Sequence, residues 1–183
     1  LGAIADKGSL KKKFLILFAY LGVLMTAGLY LVEKGDWLMA VFVYVMGVIG
    51  FSGANIFYDS LLPDIASEKH VDSVSSLGYG LGYLGGGSLF LLNVIMYLKP
   101  HFFGIPDGAT AIKLSFLSVA IWWLVFTIPL IFFVSEPSDE KSVNLIKSIN
   151  MGWKQLIETF KEIRKMRVVG MFLLAYWFYI DGV

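Results

Sequence analysis

The chain has no cysteine, so disulfides, thiolate metal sites and thiol nucleophiles are excluded from the start. Histidine is nearly absent too. His70 and His101 both fall in predicted loops, far from a second histidine or any cysteine, and so do not form a metal site. Charge is scarce. Asp, Glu, Lys and Arg make up 16% of 183 residues, where a soluble domain carries about a quarter. The net charge of +1 carries no nucleic-acid signal. No phosphate-binding glycine loop, catalytic triad or metal-ligand spacing is present, and the chain reads as a non-enzyme needing no cofactor. No segment alternates with a period of two, which argues against a barrel.

What the chain has instead is apolar sequence in uninterrupted blocks. Hydrophobic residues are 57% of the total and mean hydropathy is +0.74. The blocks at 14–32, 37–62, 77–98 and 114–134 each contain at least 19 residues, and about 20 helical residues cross a hydrocarbon core. A soluble alternative would have to bury several all-round apolar helices in one domain. In lipid the backbone must satisfy its own polar groups, which predicts helices. Charged or proline-bearing turns close the blocks: Glu33 to Asp36, Pro63 with Asp64, Lys99 with Pro100, and Glu136 with Pro137. A fifth block begins at Val168 and runs to the last residue. An apolar stub, residues 1–5, leads into Asp6 and Lys7. Both ends read as cuts through a helix, which predicts an internal piece of a longer chain. Residues 1–13 form a helix end and a cytoplasmic loop, and 14–134 four spans. Residues 135–167 form a cytoplasmic loop, and 168–183 open the next helix.

Lys and Arg set the orientation. Lys7, Lys11, Lys12, Lys13, Lys69, Lys141, Lys147, Lys154, Lys161, Arg164, Lys165 and Arg167 lie on one side; Lys34, Lys99 and Lys113 lie on the other. The richer side is predicted to be cytoplasmic. In the long loop, Ile146, Ile149, Trp153, Leu156, Ile157, Phe160 and Ile163 recur at helical spacing opposite Lys147, Lys154, Glu158, Lys161, Glu162 and Lys165. This pattern predicts an interfacial amphipathic helix; a calmodulin-target helix shares it.

Polar residues inside the spans are the candidate working groups. Ser52, Asn55 and Asp59 stand at i, i+3 and i+7 with Tyr58 beside them, a polar stripe in the cytoplasmic half of the second span. Asp59 is open to two readings, a cavity wall or a carboxylate snorkelling to water. In the fifth block Asp181 lies 13 residues past Val168, about 20 Å along a helix. Burial there raises a carboxyl pKa toward a proton-binding range, and Tyr176 and Tyr179 are close in sequence. Asp181 either binds a coupling proton or a cationic solute group, or joins two helices. The spans at 14–32 and 114–134 carry no charge within their apolar cores and are expected to face lipid. Gly47, Gly50 and Gly53 in the second span would permit close packing or bending, and Pro129 a kink. Gly78, Gly82 and Gly86 line one helix face, with Gly87 beside it, a spacing that lets another backbone approach.

Four segments carry a family resemblance. The stretch LGAIADKGSLKKK at 1–13 resembles the cytoplasmic loop between the second and third helices of the major facilitator superfamily, through Gly2, Asp6, Lys7 and the basic run Lys11–Lys13. Gly8 falls one residue earlier than the usual pattern. The glycine run Gly78, Gly82, Gly86 and Gly87 resembles that superfamily's fifth-helix antiporter motif, with Tyr83 where the motif has proline. Together with FYDSLLPDIA at 57–66 and AYWFYIDGV at 175–183, these segments resemble the vacuole-effluxer branch. That resemblance implies an all-α polytopic membrane helix bundle of major facilitator type, present here as helices three to seven. It further implies a cytoplasmic gate loop at Gly2, Asp6 and Lys7 and secondary transport of a small solute, amino acids by resemblance, in the direction of efflux. Asn55, Tyr58, Asp59, Tyr176, Tyr179 and Asp181 would bind solute or a coupling proton. The partners implied are the lipid bilayer, the solute and further helices of the same transporter. A bacterial cytoplasmic membrane is favoured over a vacuolar one. A transport-inactive scaffold or sensor of the same fold is the alternative.

Overall fold

The computed structural model describes residues 10–67, 69–135 and 167–181, together with Lys154, Ile157, Glu158 and Lys161. The chain divides into two compact units, one of Lys11–Ser138 and one of Leu1–Leu10 with Asp139–Val183. The first holds α1 (Lys11–Gly28, continued by a 3₁₀ turn at Leu29–Leu31), α2 (Trp37–Ile65), α3 (Val71–Leu98) and α4 (Gly108–Phe133). All four are long and apolar enough to cross a membrane. The second unit contributes α5 (Arg167–Asp181). The described residues are helical and loop only, an all-α membrane helix bundle.

The helices outrun the apolar blocks because hydropathy marks the hydrocarbon core, whereas backbone hydrogen bonding continues into the polar margins. α3 starts at Val71 and α4 at Gly108, six residues before the blocks at 77 and 114. Asp107 starts α4, its Oδ1 accepting the Thr110 amide at 2.7 Å. α2 runs through Pro63 to Ile65. Pro63 offers no N–H to the Asp59 carbonyl, but in the last turn this costs one bond, not a helix. Gly35 and Gly104 take positive φ, 103° and 69°, at the turns before α2 and α4.

Packing corrects one expectation. The apolar span at 14–32 does not chiefly face lipid. α1 is the central helix, packed against α2 along one side and α4 along the other. Leu15, Ala19, Gly22 and Val23 form its buried stripe. α4, the other span expected to face lipid, lies between α1 and α3 and buries Ala111, Ala120 and Thr127. An all-round apolar helix can sit in a protein core or in lipid; the small residues of its buried stripe bring α1 against two neighbours, whereas much of 114–134 on α4 stays exposed, Phe126, Phe132 and Phe133 among it. Phe57 of α2, 1% exposed, stacks on Phe14 at 5.3 Å and Phe18 at 5.8 Å between ring centroids.

The α1–α2 contact is made backbone to backbone. A Cβ on Gly50 would lie 2.5 Å from the Gly22 nitrogen and 2.7 Å from its Cα. One on Gly53 would lie 2.5 Å from the Phe18 ring, and one on Gly22 would run into the Trp123 indole of α4. Gly22, Gly50 and Gly53 are thus the glycines that let three helices meet.

Further polar bonds complete the unit. On the predicted outer side Lys113 of α4 pairs with Glu33 at 2.8 Å. Within the apolar zone the Ser118 hydroxyl donates to Asn93 Oδ1 at 3.0 Å, joining α4 to α3. Inside α4 the Thr127 hydroxyl donates to the Trp123 carbonyl at 2.8 Å. At the predicted cytoplasmic end, Lys11 and Lys12 of α1 reach in different directions, to α2 and to α4.

Candidate functional site

The polar stripe of α2 lies outside the packed core of the unit. Val43, Gly50, Ala54, Phe57 and Leu61 form the buried face of α2. Ser52, Asn55, Tyr58 and Asp59 are all exposed on the other side. One helical register therefore separates the packed face, turned to α1, from an exposed side on which the polar stripe runs among apolar residues such as Phe51 and Ile56.

α3 comes back toward α2 beside this stripe. The two helices follow each other in the chain yet meet over far less of their length than α1 and α2 do. Where they meet, the Tyr79 hydroxyl of α3 donates to Asp59 Oδ1 at 3.2 Å. One residue earlier, Gly78 leaves room for the Tyr58 hydroxyl: a Cβ there would stand 2.9 Å from that oxygen. Tyr58, Asp59, Gly78 and Tyr79 are thus gathered at one place. Asp59, which the sequence left open between a cavity wall and a snorkelling carboxylate, has an interhelical partner. No Lys or Arg pairs with it among the described residues.

Tyr79 was not singled out from the sequence, where it stood as a spacer in the glycine run. The available signal was that Tyr79 and Tyr83 recur four apart on the same helix. The glycine face itself is open within the unit. Nothing lies within 4 Å of a Cβ on Gly82, Gly86 or Gly87, and of the four motif glycines only Gly78 has a close neighbour. The close backbone approach is made in this unit by Gly50 against Gly22 instead.

Lys11 and Lys12, of the basic run that ends the 1–13 stretch, are engaged at the predicted cytoplasmic end. Lys11 Nζ pairs with Asp64 Oδ2 at 2.7 Å and donates to the Ser60 carbonyl at 3.1 Å. Lys12 Nζ donates to the Ile131 carbonyl at 2.7 Å. Lysines at a helix N-terminus oppose the macrodipole. These two side chains instead reach the C-terminal carbonyls of α2 and α4, where positive charge is favourable. Gly2, Asp6 and Lys7 lie outside the described residues, as does most of the amphipathic stretch. Of the latter, Lys154 and Glu158 make a loose i,i+4 pair at 3.9 Å.

Tyr176 and Tyr179 lie on α5 and are exposed, 53% and 71%, with Tyr176 stacked on Phe172 at 6.3 Å. Asp181 is the last residue of α5, in one helix with Val168. Among the described residues no group of three His, Cys, Asp or Glu could hold a metal ion.

Four membrane-length helices, tied to one another by polar bonds at both ends, define a polytopic membrane helix bundle. The sequence profile of the vacuole effluxer Atg22-like family matches residues 1–183, and the chain belongs to that family. An uncharacterized MFS-type transporter, YxiO, of Bacillus subtilis strain 168 is 42% identical over 100% of this chain and 42% of its own length. Autophagy-related protein 22 of Yarrowia lipolytica is 30% identical over 60% of this chain and 21% of its own. The Saccharomyces cerevisiae S288c protein of that name is 26% identical over 100% of this chain and 40% of its own. The chain thus spans less than half the length of these curated relatives. No solved structure matches it.

Proposed function

We propose that this chain is the part of a facilitator-type secondary transporter that supplies one wall of its solute pathway. Amino acids are the proposed solutes and efflux the proposed direction, following the effluxer description of the family. The observation that carries the reading is the exposed polar face of α2, Ser52, Asn55, Tyr58 and Asp59, on a helix whose other face is apolar and packed. A carboxylate costs about 2.5–3.5 kcal/mol to insert at the centre of a span, and one within a span normally faces a cavity or a partner. A lipid-facing helix has no use for such a stripe, whereas alternating access between two helical halves needs polar groups along the pathway between them. Asp181, with Tyr176 and Tyr179, is the second proposed contributor, as the residue that takes up the coupling proton. The bacterial cytoplasmic membrane is the proposed location, since YxiO is bacterial.

The test is amino-acid efflux from vesicles containing the intact protein, wild type against Asp181→Asn. The substitution keeps shape and hydrogen bonding but removes titration. Normal membrane insertion with coupled efflux abolished is expected. Wild-type efflux with unchanged pH dependence would show that Asp181 only joins helices. Absence of efflux for every amino acid tried would leave the scaffold reading in its place.

A further inference from the structure

We infer that Asp59, Tyr58 and Tyr79 form a recognition site for an organic ammonium group. This rests on the α2 stripe facing the solute pathway and names what that stripe selects.

The argument starts from the valence of the carboxylate. An ionised Asp accepts about four hydrogen bonds over its two oxygens. Asp59 receives one from a side chain, that of Tyr79 at 3.2 Å on Oδ1, and no Lys or Arg among the described residues neutralises it. Its charge and its remaining lone pairs are therefore free for a ligand. The neighbours narrow the ligand's class. Tyr58 and Tyr79 are 41% and 52% exposed, so the aromatic surface beside the carboxylate is uncovered by the unit. A negative carboxylate with two exposed tyrosines close by is complementary to an alkylammonium, which offers N–H donors to the oxygens and a diffuse positive charge to aromatic rings. A divalent metal fits poorly, since it needs several hard or nitrogen ligands, and no group of three such residues is found among the described ones. An anionic or neutral solute would leave the carboxylate unpaired.

The site is also built by its backbone. Gly78 is the residue that makes space for the Tyr58 hydroxyl, at 2.9 Å from where a Cβ would be. Tyr79, the next residue, holds Asp59 from the opposite helix. Tyr79 is a positioning residue: its hydroxyl fixes the carboxylate rotamer that leaves the other oxygen open.

The experiment measures binding without depending on transport. The intact protein, purified in detergent, is titrated with ethylammonium chloride, with potassium chloride at equal ionic strength and ethanol as controls. The readout is the thermal unfolding midpoint, which rises with a ligand that binds only the folded state. A saturable rise with ethylammonium and none with either control is expected. Asp59→Asn should abolish the rise. Tyr79→Phe, which removes only a hydroxyl, should weaken apparent affinity roughly 2- to 12-fold, the weight of one hydrogen bond. Tyr58→Leu should weaken it roughly 2- to 30-fold through the lost ring face. No rise in the wild type up to high millimolar ethylammonium, or an undiminished rise in Asp59→Asn, overturns the proposal. Should Asp59→Asn fail to fold, Tyr79→Phe decides: affinity equal to wild type overturns the assignment. Retained ethylammonium binding in a protein that moves no amino acid refutes the transport reading alone. Normal efflux with Asp59→Asn refutes this site alone.

Discussion

Gly50→Ala is the sharpest probe of the packing. The added methyl carbon would sit 2.5 Å from the Gly22 nitrogen, 2.7 Å from its Cα and 2.9 Å from the Phe18 carbonyl oxygen. All three atoms are backbone, so no side-chain rotation relieves them. Non-bonded heavy atoms rest near 3.5–4.0 Å, so α1 and α2 must part by roughly 1 Å. That separation also slackens the stack of Phe57 on Phe14 and Phe18. Overpacking of this kind costs about 1–3 kcal/mol. Alanine in place of glycine in a helix returns roughly 0.8–1.0 kcal/mol through propensity. Gly80→Ala makes the same propensity change with nothing within 4 Å of the new carbon, so it is the reference. The difference between the two variants should equal the clash alone, about 1–3 kcal/mol in favour of Gly80→Ala. The assay is unfolding of the purified protein in mixed detergent micelles with increasing SDS, followed by circular dichroism. Equal stability for the two variants, or greater stability for Gly50→Ala, would refute the backbone contact and with it the central position of α1.

Three further outcomes are expected. Lys11→Met should destabilise by about 1.5–3 kcal/mol, the range of hydrogen bonds to charged groups. It should do so more than Asp64→Asn, because Lys11 also holds the Ser60 carbonyl; SDS unfolding of the two variants ranks them. The Thr110 amide, followed by its hydroxyl, holds the Asp107 carboxyl below the usual aspartate range. A depressed folded-state pKa means stability present above the unfolded value and lost as pH falls through the folded one. The melting difference between wild type and Asp107→Ala should therefore be constant from pH 7 to 5 and shrink below about pH 4. Finally, the absence of native cysteine permits clean topology mapping. Ser73→Cys should react with an impermeant thiol reagent from the cytoplasmic side and His101→Cys from the other, and labelling of both from one side would overturn the helix count.

The sequence by itself was enough for the class of protein and the number of spans. Hydropathy is a local property, and a run such as 37–62 must form its own hydrogen bonds in lipid whatever surrounds it. The alternation of charged turns, the lysine asymmetry and the motif at 57–66 needed no tertiary information either. The polar stripe of Asn55, Tyr58 and Asp59 was visible because polar residues in an apolar run are conspicuous. Which helix lies at the centre was not. Lipid and protein interior are both apolar, so an uncharged span such as α1 reads the same for either place. Only the geometry at Gly22, Gly50 and Trp123 distinguishes them. The same ambiguity hid the difference between glycines that meet a neighbour, at 22, 50 and 53, and those that meet none in this unit, at 82, 86 and 87. Tyr79 was illegible for a related reason. Its role depends on α3 returning to α2 at one point, 20 residues on from Asp59, and a hydrogen bond between helices is set by their packing, which no single helix encodes.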